Sequence, residues 1–115
     1  MAYFEFVATY YEFIETQVFT DLVNELLTDD EYRELQAFLV KSPKGGDVIP
    51  GGNGLRKLRW RSASTGKRGG YRVIYYHVAL IQQIRMLLIY KKGRQDKLTR
   101  DQIKILVKLM KSWEE

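Results

Sequence analysis

Leu55-Arg56-Lys57-Leu58-Arg59-Trp60-Arg61 and Gly66-Lys67-Arg68-Gly69-Gly70-Tyr71-Arg72-Val73-Ile74-Tyr75-Tyr76 are two β-prone runs on either side of a small basic loop. In the first run, alternation puts Lys57, Arg59 and Arg61 on one face and Arg56, Leu58 and Trp60 on the other. The second run reads as a strand over Tyr71–Val78, and the loop 62–70 suits a hairpin. A third run, Leu80–Ile89, is rich in isoleucine, leucine and methionine and follows a tight connection. The three strands are therefore expected to form an antiparallel meander. It ends in Leu87-Leu88-Ile89-Tyr90-Lys91-Lys92-Gly93-Arg94.

Working outward toward the start of the chain, Tyr11 and Phe13 alternate in a strand expected over Tyr10–Glu15. Residues 1–9 either extend that strand or simply fray. Thr16 suits a helix cap, and Val18, Phe19, Leu22, Val23, Leu26 and Leu27 make the stripe of a short amphipathic helix. Thr28-Asp29-Asp30-Glu31 is a capping box opening a second helix to about Lys41, with Tyr32, Leu35, Phe38 and Leu39 expected inside. Ser42-Pro43 ends it. Residues 43–54 are loop, with Val48-Ile49 as an apolar plug. Beyond the meander, Thr99-x-x-Gln102 is a second capping box, opening a last helix with Ile103, Leu106, Val107, Met110 and Trp113 on its apolar face. The order β-α-α-β-β-β-α predicts a single α+β domain over 1–115. Its N-terminal strand and αα hairpin precede a small twisted antiparallel sheet packed by helices.

Composition narrows the chemistry. The 115 residues carry no cysteine and one histidine, His77, which removes thiolate zinc sites, cysteine nucleophiles and paired-histidine acid–base catalysis. Neither a P-loop nor a dinucleotide-binding glycine pattern is present, since Gly66-Lys67 is followed by Arg68. No apolar run approaches a membrane span, and no signal-peptide pattern opens the chain, so a cytoplasmic protein that does not engage membranes is expected. The net charge of +5 is unevenly spread. Residues 48–95 hold eleven lysines and arginines and no acid, whereas residues 1–47 carry −7. A polyanion gripped on one side, with the acids kept on the other, is what such asymmetry implies.

The αα hairpin, Leu55-Arg56-Lys57-Leu58-Arg59-Trp60, Gly66-Lys67-Arg68-Gly69-Gly70-Tyr71-Arg72-Val73-Ile74-Tyr75-Tyr76 and Tyr90-x-Lys92 together resemble toxins of the RelE/ParE superfamily, closest to the HigB-type branch. The resemblance covers roughly residues 11–113. It implies a toxin of a type II toxin–antitoxin module. The implied activity is a ribosome-dependent mRNA endoribonuclease working by 2′-hydroxyl attack, with no metal and no cofactor. The implied partners are the ribosome, mRNA and a cognate antitoxin, typically a helix-turn-helix DNA-binding protein. The ParE branch shares the fold but poisons DNA gyrase, so fold alone does not select the activity. A non-catalytic basic nucleic-acid-binding domain is the third reading.

Strand cleavage through the 2′-hydroxyl needs a base, stabilisation of the phosphorane charge and help for the leaving 5′-oxygen. Neighbouring cations disfavour the protonated form of a lysine, which makes Lys57 the candidate base, with Arg59 the alternate. By the family pattern Arg72 takes the scissile phosphate, where a forked guanidinium fits. Tyr90 would stack on a base and Lys92 would donate a proton or neutralise charge. Arg59, Arg61, Lys67, Arg68 and Arg94 are the candidate RNA-binding residues. Trp60 shares its face with Leu58, so packing outweighs base stacking for it.

Overall fold

Three threonines start the three α-helices of the described residues. The computed structural model describes residues 2–6, 9–61, 70–93 and 97–114, with side chains over 10–61, 70–93 and 97–113. Thr16 accepts the Phe19 amide at 2.9 Å and opens α1 (Gln17–Leu26). Thr28 accepts the Glu31 amide at 3.1 Å while the Glu31 carboxylate accepts the Thr28 amide at 2.8 Å, the reciprocal box that opens α2 (Asp29–Lys41). Thr99 and Gln102 repeat it at 3.1 and 2.9 Å to open α3 (Arg100–Lys111). Each box satisfies amides that the first helical turn leaves without partners.

The strands are β1 (Ala2–Phe6), β2 (Thr9–Glu15), β3 (Asp47–Val48), β4 (Arg56–Trp60), β5 (Tyr71–Val78) and β6 (Gln83–Lys91), in one sheet ordered β1-β2-β6-β5-β4-β3. β4, β5 and β6 make the expected antiparallel meander. Three features depart from expectation. The sheet is mixed, because β2 runs parallel to β6 in the register Glu12↔Gln83 to Glu15↔Met86. Residues 2–6 are a separate strand folded back on β2, and Asp47–Val48 adds a short strand beside β4.

Helices cover both sheet faces. α1 and α2 close one face, where Phe19, Val23, Leu35 and Leu39 meet Phe13, Leu58, Val73, Tyr75 and Met86. α3 closes the other, with Leu106 and Met110 on Ile74 and Leu87. Burying side chains of this size contributes about 1.5–3 kcal/mol each. A bulge at Ile74/Tyr75 skips Leu87 in the β5–β6 register, and both Leu87 and Leu88 turn to the α3 side. Three expected apolar positions lie at the surface, Val18 of α1 among them at 51% exposed. Phe38 stays 39% exposed while Gln36 and Val40 are buried in α2. Leu80 lies in a 3-10 turn over Ala79–Ile81 and is 98% exposed, so β6 begins three residues later than the apolar run suggests. Among the described residues, no helix is long and apolar enough to cross a membrane.

Candidate functional site

Arg59, Arg72 and Tyr90 form one row across β4, β5 and β6: Arg59 is the direct partner of Arg72, and Arg72 of Tyr90. Beyond that row the sheet ends at Gly70, whose carbonyl accepts the Lys92 amide at 3.0 Å. Gly70 holds φ at +111°, and a Cβ there would come within 3.3 Å of the Trp60 carbonyl, so only glycine enters β5 this way. The result is a cleft of about 290 Å³ lined by Arg59, Trp60, Arg61, Gly70, Arg72 and Lys92.

The electrostatics are one-sided. Arg59, Arg61 and Lys92 are exposed, and Arg72 is only 8% exposed. Among the described residues, none of the four lies within ion-pair distance of a carboxylate. A buried guanidinium is normally matched by an acid, and like charges directly opposite on a sheet repel. An anion entering the cleft supplies a counter-charge that none of the described residues does. Guanidinium groups facing one another suit the non-bridging oxygens of a phosphodiester.

Not every predicted residue joins this cleft. Lys57 falls in the next row, opposite Ile74, and lines a second cavity of about 300 Å³ with Ile49, Pro50, Lys97, Leu98 and Ile103. Tyr90 is half-buried against the α3-side core, with its backbone beside Arg72. Trp60 is buried in the α1/α2-side core, and it also borders the cleft. Lys67, Arg68 and Arg94 lie outside the described residues.

Two bases of the acid-free stretch serve the fold. Arg56 donates to the Gly46 carbonyl at 2.7 Å. Arg85 is buried, donates to Gln83 at 2.7 Å and stacks 5.8 Å from the Trp113 ring. Gln83 in turn donates to Glu12 at 2.7 Å. His77 is half-buried beside Tyr11, ring centroids 5.9 Å apart, away from the cleft. Burial, then the nearby Lys44 and Arg56 charges, hold its pKa below the usual imidazole value.

Sequence reasoning passed over the bases of α3. Arg100, Lys104, Lys108 and Lys111 are all exposed, spaced so as to stack along one side of the helix. Their spacing was the available signal. Among the described residues, no three His, Asp or Glu side chains form a group able to hold a metal ion. No family model matches the chain.

Proposed function

We propose that this chain is a toxin of a type II toxin–antitoxin module that cleaves mRNA on the ribosome. The observation that supports it most is Arg72: a buried arginine without a carboxylate among the described residues, set opposite Arg59 and Tyr90 in a cleft lined by bases. In this reading Arg72 and Arg59 hold the scissile phosphate, and their charge offsets the growing negative charge of the phosphorane. The 2′-oxygen attacks phosphorus, the P–O5′ bond breaks, and a 2′,3′-cyclic phosphate and a 5′-hydroxyl result. Lys57, two residues from Arg59 on β4, takes the 2′-hydroxyl proton, and Lys92 delivers one to the 5′-oxygen. Tyr90 orients the reacting nucleotide.

Primer extension on a reporter mRNA in a translating extract tests this. Cleavage that requires ribosomes and is lost with Arg72→Ala is the expected result, and intact mRNA overturns it. Arrested growth with intact mRNA would point to a gyrase poison, checked by a supercoiling assay. The position of Lys57 in a cavity separate from the cleft favours one further reading, a basic module that holds nucleic acid without cutting it.

A further inference from the structure

We propose that the groove between α3 and the turn at Ile49–Gly52 is a docking site for an acidic, amphipathic peptide segment of a partner protein. Three adjoining cavities of about 300, 240 and 250 Å³ run along this helix. Pro50 and Ile103 line both the first and the second; Gly51 and Lys104 line both the second and the third. They are therefore one groove. At about 1.5 Å per residue, the 12 residues of α3 give it a length of roughly 18 Å, enough for three turns of a docked helix.

Floor and rim have different chemistry. The floor is aliphatic: Ile49, Pro50, Leu98, Ile103 and Val107. The rim is basic, with Lys57 and Lys97 at one end and Arg100, Lys104, Lys108 and Lys111 along α3. Among the described residues, no acid lines any of the three cavities, and the four α3 bases form no ion pair. An aliphatic trough with a rim of a single charge matches a helix that presents leucine-like residues downward and carboxylates outward. A nucleic acid fits less well, because its bases seek aromatic platforms and the floor has none. The groove shares no lining residue with the Arg72 cleft and meets the proposed reaction only at Lys57, which lies at the groove's end.

The test uses the full chain and fluorescence anisotropy of a labelled synthetic helix of leucine and glutamate, with leucines at i, i+3, i+4 and i+7. The helix is expected to bind the wild type, to bind K104E/K108E roughly tenfold or more weakly, and to bind K104R/K108R as it binds the wild type. Arg59→Glu/Arg61→Glu is expected to leave its affinity within about twofold, neither residue lining the groove. Lys104 and Lys108 are exposed, so unchanged circular dichroism and melting are expected of their variants. Polyglutamate binding as tightly as the helix would reduce the groove to a charge effect and overturn the proposal. So would a loss of helix binding in the Arg59/Arg61 variant alone, or an oligouridylate that needs Lys104 and Lys108 while the helix does not bind.

Discussion

Arg59 and Arg72 are direct cross-strand partners at the end of β4 and β5, two cationic residues placed face to face. Sheet pairs of this kind shift stability by about 0.2–1 kcal/mol, and like charges shift it unfavourably. The arrangement makes sense as a site held ready for an anion. Arg72→Met removes the repulsion and keeps the volume. We expect calorimetry to show a melting temperature higher by about 1–5 °C, with growth arrest abolished. A fall in melting temperature would mean that Arg72 is a structural arginine.

Lys92 lines the cleft with Arg72, whereas Lys57 lines the neighbouring cavity. Lys92→Ala should therefore slow single-turnover cleavage by about 10²-fold or more, the usual scale for a lost proton donor. Lys57→Ala should cost about tenfold, a base at the margin contributing less than one in the cleft. The reverse ranking would place the reacting nucleotide nearer α3.

Tyr75 is fully buried and ties the loop after α2 to the sheet: its hydroxyl donates to the Pro43 carbonyl at 2.8 Å and accepts the Gly46 amide at 2.9 Å. Burial raises its pKa, so it stays a donor. Tyr75→Phe leaves the buried Gly46 amide without that acceptor, at a cost of about 1–3 kcal/mol. Urea unfolding should show a lower midpoint with an unchanged slope.

His77 gives a pH signature. Its pKa is lowered in the fold, chiefly by burial, so the unfolded chain takes up a proton first as pH falls. Its contribution to stability is present above the unfolded value of about 6.5 and declines as pH falls from there through the folded pKa. His77→Gln should flatten that part of the curve of melting temperature against pH. An unchanged slope would assign the effect elsewhere.

Local signals were the readable ones. Thr16, Thr28 with Glu31 and Thr99 with Gln102 mark the helix starts because a cap is decided within four residues. The phase of β4 was equally plain, with Leu58 and Trp60 inward and Arg59 outward. What could not be read was non-local. Nothing within Thr9–Glu15 says that its partner is β6, in parallel. Leu80 and Ile81 look like strand residues to any hydropathy pattern, and only the left-handed Gln82 that follows shows the chain still turning there. In the candidate site, the alternation correctly grouped Arg59 with Arg61. It also grouped Lys57 with them, because period two describes a strand face and not which cavity overlies each position. The basic groove was hidden because its residues come from the β3–β4 turn, β4 and α3, and are joined only by packing.

The pairing of β2 with β6 also sets the order of events during synthesis. Gln83 reaches back 71 positions to Glu12, and β6 lies between β2 and β5 in the finished sheet. A nascent chain can form α1 and α2 as they emerge, but the middle of its sheet is missing until β6 has been translated. Until then Phe13, Val73 and Tyr75 have no Met86 or Ile89 to pack against, and Arg72 has no Tyr90 beside it. The basic cleft is therefore incomplete until β6 and the Lys92 that follows it have been made.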